Sequence, residues 1–380
     1  MKIKILQKTT GMNAGGIEKF LINVEEKIDK DKFQFDYFLN RPDEQFYSEK
    51  IEEYGGKIYA PEWKNNKISN ILNRLVVFYK FLKNNKYDIL HINEPLCASS
   101  IYALIGKMAG VKSIIVHSHS DHSIEKFSFL QKLMNFLSRK MNLIVGNYYF
   151  ACSDEAAIWL FGKEALANKN YLKIPNGIDV NKYIFSEKKQ ENIRKALKIN
   201  NSFIVGHVGR FYEVKNHEFL VKIFKEFLKL VPHAKLLLVG DGPLKNKIME
   251  LTEEYNIRDK VIFYGLSKNV PDLLQAMDCF VFPSHYEGLG IAVIEAQAAS
   301  LPVFCSNNVP LEAKITEECY FIDLAKDETE WAKFIYENTQ NIIRKNNKDK
   351  VIKAGYDINT GITQLENFYL NIYKMGENYK

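Results

Sequence analysis

Short β-branched and aromatic runs alternate with longer stretches of helical periodicity along almost all of the 380 residues. In the first half, residues 3–6, 33–39, 57–60, 88–92, 113–117, 148–152 and 171–174 read as strands. Residues 17–28, 71–83, 96–109 and 130–145 read as helices between them. A second series follows, with strands at 203–208, 235–239, 261–263, 279–282, 302–305 and 319–322. Its helices fall at 217–231, 244–255, 270–277, 291–300 and 330–344. Strands that alternate with crossover helices predict an α/β fold with parallel sheets. Two consecutive doubly wound units account for both series, and the chain is long enough to give each its own core.

The boundary is expected near Pro175, where the proline ends a strand and Asn176 and Gly177 form a strong turn pair. A polar stretch at 186–198 precedes the second series. Ile358, Ile362, Leu365, Phe368, Tyr369 and Ile372 then recur at roughly helical spacing. The expected division is therefore 1–176, 177–356 and a terminal helix in 357–380.

Composition narrows the function classes. The longest apolar runs are strand-sized, so no membrane-spanning helix is expected, and the apolar part of the N-terminus is too short for a signal peptide. Cytoplasmic residence is the expectation. Five cysteines, Cys97, Cys152, Cys279, Cys305 and Cys319, are scattered without a CxxC pair, which points to buried reduced thiols. The net charge of +6 is uneven: residues 51–150 are net basic and residues 251–350 net acidic. A basic first half suits an anionic acceptor or a membrane surface. No basic stripe with interleaved aromatics is present, so nucleic acid is not an expected partner. Residues 126–140 interleave Phe127, Phe129, Leu130, Leu133, Met134, Phe136 and Leu137 with basic residues. A core-facing amphipathic helix is the favoured reading, and a helix on a membrane interface is the alternative.

The densest chemistry follows the apolar run at 279–282. Pro283, Ser284, His285, Tyr286, Glu287, Gly288, Leu289 and Gly290 make a turn, and the next helix opens at Ile291 and carries Glu295. Peptide N–H groups at Gly288, Leu289 and Gly290 would stand free at a helix N-terminus, where the dipole favours an anion. Glu287 and Glu295 flank them with acceptors for hydroxyls. A sugar nucleotide needs that mixture, with donors for diphosphate and carboxylates for sugar and ribose.

Arg210 and Lys215 follow the strand at 203–208, at the C-terminal strand end where open α/β sheets bind ligands. Two fixed cations could neutralise a departing diphosphate without a metal. Gly15 and Gly16 precede the first helix and allow close backbone approach, although the GxGxxG fingerprint is absent. His117 and His119, spaced by two after an apolar strand, can bind sugar or phosphate or assist proton movement. No third ligand accompanies them, so a metal site is not expected. His91, inside an apolar strand, reads as a satisfied core histidine. Gly240, Asp241, Gly242 and Pro243 read as a structural turn, and no Asp-x-Asp follows an apolar strand.

In this order, these segments resemble the family 4 retaining glycosyltransferases of GT-B fold, which include many bacterial capsular and exopolysaccharide enzymes. The resemblance rests on Glu287 and Glu295 with seven residues between them, and on Gly209, Arg210, Lys215 and Asn216. The 239–243 turn, the 175–179 segment and the Gly15–Gly16 loop complete it, and it runs from about residue 5 to about residue 305. It implies two Rossmann-like doubly wound parallel-sheet domains facing a central cleft, the first binding acceptor and the second the nucleotide-sugar donor. The terminal helix would cross back onto the first domain.

Arg210, Lys215 and the amides of Gly288, Leu289 and Gly290 would hold the diphosphate, Glu287 the donor sugar and Glu295 the ribose. Gly16 would approach the diphosphate, and His117 or His119 would contact donor sugar or acceptor. The resemblance implies no metal or other cofactor, a donor that is a UDP-sugar more often than a GDP-sugar, and a saccharide or polyprenyl-linked saccharide acceptor. Peripheral association with the inner membrane face would accompany such an acceptor. A sugar-nucleotide epimerase on the same fold and an inactive transferase-like subunit are the competing readings.

Overall fold

The computed structural model describes residues 2–13, 15–41, 46–61, 68–119, 128–340 and 343–377. The chain divides into two compact units, Met1–Gly177 together with Ile358–Lys380, and Ile178–Asp357.

The first unit is built on seven parallel strands: β1 (Ile3–Thr9), β2 (Phe33–Leu39), β3 (Ile58–Tyr59), β4 (Ile89–Ile92), β5 (Ser113–Ser118), β6 (Tyr148–Ala151) and β7 (Tyr171–Lys173). Their order across the sheet is β3-β2-β1-β4-β5-β6-β7, so the winding reverses between β1 and β4. β1 continues past the apolar residues that mark it in the sequence. Gln7, Lys8 and Thr9 are polar yet buried, and the side chains of Gln7 and Lys8 find partners just past the end of β4. Asn93 Nδ2 donates to Gln7 Oε1 at 2.8 Å, and Lys8 Nζ pairs with Glu94 Oε1 at 2.7 Å.

Helices cover both faces of this sheet. Ile5, Ile89 and Ile115 pack with Phe20 and Leu21 of the Gly16–Lys27 helix and with Ile362, Leu365 and Tyr369 of the terminal Ile358–Glu377 helix. Leu6, Leu90 and Ile114 pack on the other side with Phe78, Tyr102 and Val145, from the helices Ile68–Asn84, Leu96–Ala109 and Phe129–Val145.

The expectation of a core-facing amphipathic helix at 126–140 is overturned, Lys126 and Phe127 lying outside the described residues. In the Phe129–Val145 helix the polar Asn135, Ser138 and Asn142 face inward, while Phe129, Leu130, Leu133 and Phe136 face out. The inward side is held by hydrogen bonds, Asn142 Nδ2 to Ser99 Oγ at 3.0 Å and Ser138 Oγ with Ser100 Oγ at 3.0 Å.

The second unit has six parallel strands: β8 (Ile204–Val208), β9 (Lys235–Val239), β10 (Val261–Gly265), β11 (Cys279–Phe282), β12 (Val303–Ser306) and β13 (Cys319–Ile322). Their order is β10-β9-β8-β11-β12-β13, reversing between β8 and β11. The polar stretch at 186–198 contains an unexpected helix, Glu187–Leu197, capped by Ser186 and ended by Lys198 in the left-handed region. The helix expected at 330–344 spans Glu328–Glu337, because Asp327 and Glu330 form a capping box that starts it earlier. Cys152, Cys279, Cys305 and Cys319 are free and buried, as expected of reduced thiols, and the side chain of Cys97 lies outside the described residues.

Candidate active site

In the second unit the chemistry gathers at the C-terminal ends of β8 and β11, the strands on either side of the winding reversal. Ligands bind at such switch points in open α/β sheets. Two loops leave these strands and are stitched together, His285 N–H donating to Val214 O at 2.8 Å. That link brings Lys215 Nζ to 2.5 Å from Glu287 Oε1. The same ammonium lies 4.7 Å from the centroid of Phe282, so its stem is braced by the last residue of β11. Arg210, in contrast, is exposed, and its guanidinium lies over Tyr212 without an ion pair among the described residues.

The 239–243 turn explains its glycines. Gly209 N–H donates to Val239 O at 2.9 Å and Phe211 N–H to Asp241 O at 3.0 Å, so the turn runs against the loop that carries Arg210. A Cβ on Gly240 would lie 2.0 Å from Gly209 O, and one on Gly242 would lie 2.7 Å from Phe211 O. Only glycine lets the two backbones meet this closely. Below the loop, His207 donates from Nδ1 to Val281 O at 2.9 Å, and burial lowers its pKa to about 4. A neutral imidazole there leaves the positive charge of the loop to Arg210 and Lys215.

The helix after β11, Ile291–Ala298, opens with Gly290 in the left-handed region at φ 75°. Its first backbone bond runs from Val293 N–H to Gly290 O at 2.8 Å, so the amides at its start point beyond the helix. Glu295 sits inside this helix, almost wholly buried, and accepts a hydrogen bond from the Tyr183 hydroxyl. Tyr183 closes the short Val180–Tyr183 helix, and nothing in its sequence surroundings pointed to a role. Arg210, Lys215, Glu287, Gly288, Leu289, Gly290 and Glu295 thus all lie on the segments that follow β8 and β11.

In the first unit, His117 is in β5 and His119 lies one residue beyond it. Their rings are 3.9 Å apart and tilted by 31°. They differ in depth and in partners. His117 Nδ1 is 3.1 Å from His91 Nε2, and His91 Nδ1 is 2.7 Å from the Tyr369 hydroxyl on the terminal helix. His91 is thus the satisfied core histidine that its apolar strand implied. His119 Nε2 lies 2.8 Å from Asn93 Oδ1, and its Nδ1 is 3.5 Å from Asn176 Oδ1. Both amide oxygens accept, and a neutral ring has one N–H to give, so the shorter contact to Asn93 assigns the proton to Nε2. Burial lowers the His119 pKa to about 4, so the ring is neutral at ordinary pH.

Gly15 caps the first helix, and a Cβ on Gly16 would meet nothing within 4 Å, which leaves that helix start open to close approach. Ala14, in the same loop, and Ser120 and Asp121 beyond His119 lie outside the described residues.

The sequence reading missed a polar group at the ends of β1 and β4. The Lys8–Glu94 ion pair is almost fully buried. Thr10 Oγ1 donates to Glu94 Oε2 at 2.8 Å and Asn40 Nδ2 donates to Glu94 Oε1 at 2.9 Å. Burial pulls the Lys8 amine below its ordinary value, opposed by the Glu94 charge. The signal was present in the sequence, as polar residues continuing two apolar strands at their C-terminal ends.

Residues 14–182 match the model described as Glycosyltransferase Family 4, and residues 188–348 match Glycosyl transferases group 1. EpsF of Bacillus subtilis (strain 168) is 32% identical over 309 residues, covering 80% of this chain and 79% of that protein. The chain belongs to the group 1 glycosyltransferases. The UDP-Gal:alpha-D-GlcNAc-diphosphoundecaprenol alpha-1,3-galactosyltransferase of Escherichia coli is 24% identical to this transferase over 321 residues, covering 81% of this chain and 82% of that enzyme. Among solved structures, Anabaena HepE in complex with UDP-glucose superposes with a TM-score of 0.76 at 19% identity, covering 97% of this chain and all of that one. That likeness establishes the GT-B fold for the transferase.

Proposed function

We propose that this glycosyltransferase moves a sugar from a UDP-sugar to a hydroxyl of a saccharide carried on a polyprenyl diphosphate, with retention of configuration and without a metal. The product would serve capsular or exopolysaccharide synthesis. The observation that carries the reading is the joining of Lys215 to Glu287 beside the exposed Arg210 and the open start of the Ile291–Ala298 helix. The relatives support its particulars: one is named for UDP-galactose and a diphosphoundecaprenol-linked acceptor, and one was solved with UDP-glucose.

Arg210, Lys215 and the amides of Gly288, Leu289 and Gly290 would take up charge as the C–O bond to UDP breaks. Both carboxylates already have partners, Glu287 the Lys215 ammonium and Glu295 the Tyr183 hydroxyl. Neither is therefore assigned as a nucleophile of the kind retaining hydrolases use. Glu287 is assigned to the donor sugar and Glu295 to the ribose hydroxyls. The acceptor hydroxyl would attack as UDP departs, its proton passing to the leaving phosphate oxygen. His119, neutral and held by Asn93, is assigned to hydrogen bonding with sugar and not to proton transfer, and His117 supports it from beneath. Gly15 and Gly16 are assigned to close backbone contact with the donor.

The test is transfer from a panel of UDP- and GDP-sugars to a synthetic polyprenyl-diphosphate sugar in EDTA, with the product's anomeric configuration read by NMR. A retained linkage from one UDP-sugar is expected. An inverted linkage, a need for added metal, or conversion of the donor without acceptor would each overturn the corresponding part.

A further inference from the structure

At the C-terminal end of the first sheet, the face that carries Ile5, Ile89 and Ile115 turns polar. Alternation along each strand puts Gln7 of β1, His91 of β4 and His117 of β5 on that face, with Gln7 and His91 paired in register. All three are buried. The terminal Ile358–Glu377 helix packs against this face through Ile358, Ile362, Leu365, Tyr369 and Ile372. Of these five side chains, Tyr369 alone has a polar atom, and it is wholly buried. Phenylalanine would fill the same space, so the hydroxyl has a task of its own.

Two hydrogen-bond runs meet at that hydroxyl. One passes from Tyr369 Oη to His91 Nδ1 at 2.7 Å, then from His91 Nε2 to His117 Nδ1 at 3.1 Å. In the other, the Gln7 amide bonds the Tyr369 oxygen, and Asn93 Nδ2 donates to Gln7 Oε1 at 2.8 Å. Asn93 Oδ1 in turn accepts from His119 Nε2 at 2.8 Å. The runs therefore end on the two neighbouring rings, whose centroids are 3.9 Å apart.

Donor and acceptor roles give the first run one direction. Gln7 Oε1 is taken by Asn93, so the Gln7 group at the Tyr369 oxygen is its N–H, which can only donate. The buried Tyr369 O–H is then free to donate to His91 Nδ1. His91 carries its proton on Nε2 and gives it to His117 Nδ1, and His117 carries its own on Nε2. The reverse direction would leave the Tyr369 O–H in the core without an acceptor, which buried hydroxyls avoid. At the far end, His117 Nε2 has no partner among the described residues, so the direction is set from Tyr369.

We propose that Tyr369 is a positioning residue for the histidine pair, its one hydroxyl fixing proton placement in His117 and the hold on His119. Resting on the reading above that His119 meets the sugar, this makes the terminal helix part of the transfer site without touching substrate.

Long-range ¹H–¹⁵N NMR of the full chain with labelled histidine reads the tautomer of each ring. In the wild type, His91, His117 and His119 should each carry the proton on Nε2. Tyr369→Phe removes the donor that orders the run, so His91 and His117 signals should move to values of mixed tautomers. The kcat/KM for sugar transfer should fall about three- to tenfold, the scale of one hydrogen bond. UDP affinity should hold, because Arg210 and Lys215 lie in the second unit. Gln7→Met should shift the His119 signals alone. If Tyr369→Phe fails to fold, the wild-type spectrum and Gln7→Met carry the test. A proton on Nδ1 of His91 or His117 in the wild type overturns the proposal. So does a Tyr369→Phe spectrum with unaltered ring signals, whatever its activity. Altered signals with unchanged transfer would support the hold of Tyr369 on the rings and overturn the assignment of His119 to the sugar instead.

Discussion

Lys215 Nζ and Glu287 Oε1 stand 2.5 Å apart and join the loop after β8 to the loop after β11. Both side chains are largely sheltered, at 20% and 11% exposure, so the pair is formed away from full solvent screening. It holds an ammonium in place at the switch point before any donor arrives. Arriving diphosphate would share that ammonium and leave Glu287 available to the sugar hydroxyls. Lys215→Ala and Glu287→Ala should therefore act as a unit. In a double-mutant cycle on kcat/KM, the coupling should fall in the range of about 0.5–3 kcal/mol found for contacting residues. Additive losses would show that the two work separately.

Arg210→Ala should lower turnover by roughly 10²–10³, the scale for losing one electrostatic stabiliser of a leaving group. The side chain is exposed and makes no ion pair among the described residues, so the melting temperature should not move. Unaltered turnover in this variant would remove Arg210 from the proposed mechanism.

Tyr183→Phe should do two things at once. It removes the hydroxyl that donates to the buried Glu295 carboxylate. Losing a hydrogen bond to a charged group costs about 1.5–3 kcal/mol, readable in urea denaturation. Glu295 should also lose its fixed orientation, so UDP should bind more weakly. Weakened stability with unchanged UDP affinity would make Tyr183 a purely structural partner.

What the sequence revealed follows from the distance to each partner. The loops bearing Arg210, Lys215, Glu287 and Glu295 are local strand-end patterns, so their place at the sheet's C-terminal edge was readable from the chain. Tyr183 and Glu295 are 112 residues apart, Lys8 and Glu94 are 86 apart, and His91 and Tyr369 are 278 apart. A local pattern such as the polar strand ends at Lys8 and Glu94 shows that partners are needed, but it does not say which residues meet. β1 was read too short for the same reason, since Lys8 is tolerated in a buried strand only because Glu94 meets it. The Phe129–Val145 helix misled in the opposite way. Its periodicity was correct, but periodicity alone does not say which side meets the core, and here Asn135, Ser138 and Asn142 took that side.

The buried histidines make stability pH-dependent with a definite sign. Burial lowers the pKa of His91 to about 3, of His119 and His207 to about 4 and of His217 to about 2, and holds His117 well below its ordinary value. Each binds fewer protons folded than unfolded. Their contribution is complete above about pH 6.5 and drains away as pH falls toward 4. Glu25 runs the other way. Burial raises its pKa to about 8, opposed by the Tyr37 hydroxyl that donates to Oε2 at 2.6 Å. Its contribution is complete below about pH 4.5 and lost as pH rises through 8. Glu25→Gln should therefore melt above wild type near pH 9, by about 2–4 °C for each kcal/mol recovered. The acid-side fall should remain in that variant. A melting curve flat between about pH 7 and pH 5 would contradict the histidine assignment.

The most direct test of the central claim is calorimetric titration of UDP into the purified protein in EDTA, for wild type and for Lys215→Ala and Arg210→Ala. The account predicts metal-independent binding at one site, weakened in both variants. Absence of UDP binding, binding only with added metal, or equal affinity in all three proteins would contradict a donor diphosphate held by Arg210 and Lys215.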